Sequence, residues 1–160
     1  MNKTISLGLL RISMGFIFLW AFLDKFFGLG FATGPEKSWI SGASPTAGFL
    51  GNATKGPFVD FFHSLAGLVW VDWLFMSGLL LIGLALILGI AMRLAFLGGG
   101  LLLTFMYLAV LPPANNPIVD DHIIYFLVLL VLMFYKADEF IGFGKKWKDL
   151  KLVRALPFLA

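Results

Sequence analysis

The sequence predicts an all-α integral membrane protein: a four-transmembrane-helix bundle with an extracytoplasmic amphipathic helix and both termini in the cytoplasm. Three observations carry that expectation. The chain of 160 residues is 60% hydrophobic and only 13% charged, whereas a soluble domain holds about 25% charged residues; its mean hydropathy is +0.95. Four apolar runs stand at about 5–27, 74–92, 94–111 and 118–135, each near the ~20 residues that cross a ~30 Å hydrocarbon core. Lysine and arginine are spread unevenly over the segments between those runs, which sets orientation.

The first run is too long for a signal-peptide core and no small-residue cleavage site follows it, so it reads as a retained helix. Arg11, Gly15, Phe18, Phe22 and Lys25 recur along it at spacings of four, three, four and three, which lays them on one face. A charged side chain inside a membrane helix costs ~2.5–3.5 kcal/mol, so Arg11 and Lys25 are functional candidates by default. Their plainer reading is a long stem that reaches the headgroups. Asp24 points away from Lys25 on an ideal helix, so adjacency alone does not pair them. Segment 28–72 is rich in Gly, Ser, Thr and Pro and is expected outside the cytoplasm. Within it, Phe58, Phe61, Phe62, Leu65 and Val69 follow Pro57 at helical spacing, which predicts a short amphipathic helix capping the bundle.

The second and third runs are separated only by a turn at Met92-Arg93-Leu94, so they are expected to be antiparallel neighbours. Gly78, Gly83, Ala85, Gly89 and Gly98 to Gly100 supply small residues for close helix packing rather than a phosphate loop. The fourth run opens from PPANNPIVDDHIIY. Asn116-Pro117 reads as its start, with Asn capping free N–H groups and Pro at the first helical position. Asp120, Asp121 and His122 then fall in its first turns, with Tyr125 three or four residues from His122 and Asp121. A helix dipole favours carboxylates there, so a well-capped helix end is the plain alternative to a polar site. The tail, 136–160, is basic and aromatic and suits an interfacial segment near anionic lipid.

With both termini inside, the inner side holds Lys3, Arg93, Lys136, Lys145, Lys146, Lys148, Lys151 and Arg154, while Lys37 and Lys55 lie outside and Lys25 at the outer boundary. That places the chain in the cell membrane as a multi-pass protein. One domain is expected. The absence of cysteine excludes disulfides, thiol redox chemistry and cysteine-ligated clusters. No basic patch lies on a polar surface large enough to follow nucleic acid. Neither histidine has a second metal ligand at helical spacing apart from its adjacent acids, so neither a metal nor a flavin is expected.

The segments LLRISMGFIFLWAFLDK, SGASPTAGFL, DWLFMSGLLLIGLALILGIAMRLA, NNPIVDDHIIY and IGFGKKWK, in this order and spacing, resemble the DoxX family of small four-helix membrane proteins, from Leu9 to about Trp147. The resemblance implies a subunit of the DoxX/DoxD type found with thiosulfate:quinone oxidoreductase, which oxidises thiosulfate and passes electrons to membrane quinone. Under that reading His122, Asp121 and Tyr125 handle protons. Lys25, Asp24, Tyr107, Arg11 and Asp120 hold a quinone or an anionic substrate. Membrane lipid, a second redox subunit and a second copy of the chain are the partners to expect. Two further readings stand beside it: a non-enzymatic membrane scaffold or assembly factor, and a small-solute carrier with Arg11 and Lys25 on its pore face.

Overall fold

A computed structural model describes residues 3–160 of the protein. It is helical throughout, with no strand among the described residues. Four long helices dominate: α1 (Lys3–Phe27), α4 (Val69–Leu88), α5 (Met92–Ala109) and α6 (Asp121–Phe134). Between α1 and α4 lie two short helices, α2 (Ala47–Asn52) and α3 (Val59–Leu65); after α6 come α7 (Gly144–Lys148) and α8 (Lys151–Ala155). Helices α1, α4 and α5 are each long and apolar enough to cross a membrane. At 1.5 Å per residue, α6, with 14 residues, reaches only about 21 Å.

Helix α1 packs chiefly on α4, α4 on α5, α5 on α6, and α6 returns to α1. The main core between them is built from Met14, Phe18, Met76, Leu79, Ile82, Leu86, Leu103, Leu129 and Leu132 with their neighbours. The face expected on α1 is buried over its first part, at Arg11, Gly15 and Phe18, whereas Phe22 and Lys25 are only half-buried. Glycine sets the distance at the α1–α4 crossing. A Cβ on Gly15 would stand 2.9 Å from the Gly83 carbonyl oxygen, and one on Gly83 would stand 2.7 Å from the Leu19 nitrogen. Gly99 and Gly100 do the same for α5 against Leu129 and Phe126 of α6, whereas Gly78 meets nothing. The opposite faces are apolar and bare, with Leu74, Leu81, Leu97, Leu101 and Phe134 each more than half exposed. Side chains of this kind belong against lipid rather than water.

Several element boundaries differ from expectation. The second long helix starts at Val69, not 74, so Asp72 lies inside it rather than in the preceding segment. The turn between α4 and α5 is Gly89 to Ala91, not Met92 to Leu94. Gly89 ends α4 in the left-handed region at φ 72°, where glycine carries no Cβ penalty. Helix α6 is capped by Asp120, not Asn116. The Asn116 side chain instead accepts from the Ile118 and Val119 N–H groups, both at 2.9 Å. It closes a turn that keeps 118–120 outside the helix, a local competition typical of Asn.

The expected amphipathic helix is shorter than the 57–69 stretch. A single 3-10 turn covers Gly56–Phe58, α3 covers Val59–Leu65, and Val69 already belongs to α4. Only Phe62 of its phenylalanines is buried; it joins Leu50 and Ala109 in a second, small core that Leu108 and Val71 complete. The segment therefore does cover one end of the long helices, the end at which α1 finishes and α4 begins.

Candidate functional site

At that covered end, two carboxylates organise the connecting segment. Asp24 is buried in the last turn of α1 and accepts hydrogen bonds from the N–H groups of Phe31 (3.1 Å) and Ala32 (2.9 Å). Asp72, buried in the first turn of α4, accepts from the hydroxyls of Ser44 (2.8 Å) and Thr46 (2.6 Å). Ser44 in turn accepts from the Ala47 N–H at the start of α2. Trp39, between these anchors, stands edge-on to Phe26 of α1 and Trp73 of α4. Asp24 is thus a loop anchor with its acceptors in use. Asp72 was outside the set of expected site residues; the signal for it was the pair of hydroxyls at Ser44 and Thr46, too common to single out.

The fourth long helix begins at the same end. The Asp120 carboxylate accepts from the N–H groups of His122 (3.0 Å) and Ile123 (3.3 Å), and its second oxygen lies 2.7 Å from His122 Nδ1. An ionised carboxylate only accepts, so Nδ1 carries a proton and Nε2 is left to accept, or to donate when the ring is charged. Beside this pair, α5 and α6 diverge into a half-open groove of about 180 Å³ lined by Leu103, Thr104, Tyr107, His122, Ile123 and Phe126. The Thr104 hydroxyl donates to the Gly100 carbonyl, and Tyr107 donates to the Ile118 carbonyl at 2.7 Å. Tyr107 therefore braces the loop that leads into α6.

The cluster expected from Asp121, His122 and Tyr125, facing Lys25, does not form. Asp121 is exposed, and its side chain makes no hydrogen bond among the described residues. The partner of His122 is Asp120, two residues before it, because the cap places that carboxylate back over the first turn. Tyr125 packs against the main core instead of joining a polar network. Lys25 is half-buried and forms no ion pair with Asp120 or Asp121. Of the expected residues, then, the structure brings together Asp120, His122 and Tyr107.

Arg11 lies at the opposite end and is entirely buried. Its guanidinium donates to five carbonyls: Leu86 and Ile87 at the end of α4, then Ala137, Phe140 and Ile141 beyond α6. The first two are among the carbonyls a helix C-terminus leaves unpaired, and the helix dipole favours a cation there. The next carbonyl, Leu88, is taken by the Phe143 N–H at 2.8 Å. Two glycines make room: a Cβ on Gly89 or Gly142 would stand 2.8 Å from a guanidinium nitrogen. Arg11 neither reaches the headgroups nor offers a free donor to a ligand. Close by, buried Asp138 and half-buried Glu139 both pair with Lys148, the latter at 3.1 Å.

No buried side-chain nitrogen or oxygen among the described residues lacks a hydrogen-bond partner. No three His, Asp or Glu side chains among them gather as a metal-ligand set. No protein-family model, no curated protein and no solved structure matches the chain.

Proposed function

We propose that the chain is a four-span membrane bundle with both termini in the cytoplasm, and that its α5–α6 groove receives the ring of a membrane quinone. In this reading it is a small subunit of a quinone-linked redox system, as its likeness to the DoxX family implies. The observation that carries the proposal is the Asp120–His122 pair at the edge of an apolar groove. Leu103, Ile123 and Phe126 suit a flat apolar ring. The charged His122 ring can donate its Nε2–H to a quinone carbonyl and the neutral ring can accept at Nε2 from a quinol hydroxyl, with Asp120 holding the Nδ1–H in both states. Quinone, when bound, accepts electrons and protons; this chain's part is to position the ring and to hold a proton at His122. The electrons come from a partner subunit or an external reductant.

A short-chain quinone titrated against the detergent-solubilised protein is the direct test, together with analysis of quinone that co-purifies with it. His122→Ala should weaken binding about fivefold or more, the loss of one hydrogen bond of ~1–3 kcal/mol. Asp120→Asn should fall between, because Asn still caps α6 while its charge is gone. A wild-type protein that binds no quinone, or a His122→Ala protein that binds it equally well, would sink the reading. For topology, reporters placed after Ala160 and within 41–54 should appear on opposite sides of the membrane; the same side for both removes the four-span arrangement.

The second reading, a non-enzymatic scaffold or assembly factor, is favoured by one specific observation. Arg11, Asp24, Asp72 and Asp138 all spend their hydrogen-bonding capacity within the chain. A carrier for a small solute needs Arg11 on a passage, and its enclosure by carbonyls removes that cation.

A further inference from the structure

The chain beyond α6 is tied down along its length. Arg11 holds the carbonyls of Ala137, Phe140 and Ile141, and Lys148 pairs with Asp138 and Glu139. Val153 of α8 is buried. Trp147 Nε1 donates to the Leu159 carbonyl at 2.7 Å. Arg93, at the start of α5, donates its N–H to the Ala160 carbonyl (3.0 Å) and its guanidinium to the Pro157 carbonyl (2.8 Å). These bonds fold the tail into a cap over the end where α4 finishes and α5 begins. The apolar belts of those helices end there, at the depth of the headgroups if the helices span.

Most charges of the cap are already matched. Lys148 is used by two carboxylates, and Arg154 pairs with Asp149 at 2.7 Å. Lys145, Lys146 and Lys151 are exposed and form no close ion pair among the described residues, Lys145 acting on Glu139 only at longer range. The cap also exposes Phe143 (55%), Leu152 (62%) and Phe158 (55%), and the Lys146 ammonium lies over the Phe143 ring at 6.0 Å. A water-facing surface has a use for unpaired lysines but not for large apolar groups among them. A surface that meets phosphate-bearing headgroups and the first methylenes of the acyl chains has a use for both.

We propose that this cap is a docking surface for an anionic lipid leaflet, with Lys145, Lys146 and Lys151 taking the headgroup phosphates and Phe143, Leu152 and Phe158 seated among the chains. The inference rests on the membrane reading of the long helices and is independent of the quinone groove. Its test uses the full chain reconstituted in phosphatidylcholine vesicles with a trace of spin-labelled phosphatidylglycerol or spin-labelled phosphatidylcholine. Spin-label spectra read the fraction of each lipid held at the protein surface. The wild type should prefer the anionic lipid by several-fold up to about tenfold at low salt, and lose the preference in molar salt. The K145Q/K146Q/K151Q variant should fall to near parity, while K145R/K146R/K151R should keep the preference. If the triple glutamine variant fails to fold, the three single substitutions should each remove part of it. Equal association of both lipids with the wild type overturns the proposal. So does a preference that survives the glutamine substitutions or ignores salt.

Discussion

Replacing Arg11 by Met keeps the length and apolar bulk of the stem and removes every donor. Five carbonyls drawn from two distant segments then lose a charged partner. Counted singly at ~1.5–3 kcal/mol per hydrogen bond to a charged group, the sum would rival the whole stability of a domain, and neighbouring terms of this kind do not add. Each buried carbonyl left without its donor costs ~1–3 kcal/mol, in part recovered by relaxation, so a loss of about 3–5 kcal/mol is expected for Arg11→Met. Arg11→Lys should cost less but not be silent, since an ammonium has three donors and no planar fork with which to span five acceptors. Equilibrium unfolding in detergent gives the magnitude. Trypsin cleavage at Lys145 and Lys146 gives the location, because release of 137–141 from α4 frees the cap. Gly142→Ala, whose Cβ would crowd the guanidinium, should reproduce part of the effect. An Arg11→Met protein within about 1 kcal/mol of wild type, with the cap still protected, would refute the reasoning.

Two further outcomes follow from the same kind of bookkeeping. Asp72→Ala should lose about 1–3 kcal/mol, because two hydroxyls lose their shared acceptor, and Asp72→Asn should lose less; amide exchange should quicken first in 44–52, and unchanged protection there would contradict the anchoring role. The cap should also loosen at both pH extremes. The Glu139 carboxyl lies below its ordinary 4.5, chiefly through its hydrogen bond from Lys148, so its contribution is present above that value and fades as pH falls through the lowered one. Burial opposes the Lys148 charge, but the bonds to Asp138 and Glu139 outweigh it and raise the group above its ordinary 10.5. Its contribution is present below 10.5 and is lost as pH rises through the raised value. Proteolysis of the cap measured against pH should be slowest between these limits, and Lys148→Met should flatten both arms.

Much of the scaffold was legible in the residues. Hydrophobic runs and 3.6-residue periodicity are local properties, so the long helices, the buried stripe through Arg11, Gly15 and Phe18, and a covering segment could all be read before any contact was known. The ends were less legible. Asn116-Pro117 and Asp120 both carry cap chemistry, and only the fold decided that the first closes a turn while the second caps α6. The apolar spacing of the covering helix runs on to Val69, past the break at Gly67, which sits at φ 77° and which that spacing does not mark.

What sequence alone determined, then, was which segments are apolar enough to be buried or to face lipid, and on which face of α1 the charge lies. The partners of the buried charges were decided only by tertiary structure. The acceptors of Arg11 stand 75 to 130 residues away and are backbone carbonyls, a group every residue carries, so no side-chain identity marks them. Asp24 likewise meets backbone N–H groups, and Asp72 meets hydroxyls 26 and 28 residues away. The pairing of His122 with Asp120 rather than Asp121 turned on a single cap geometry. A local pattern records what must be buried; only the folded chain brings to each buried charge the unmarked backbone group that satisfies it.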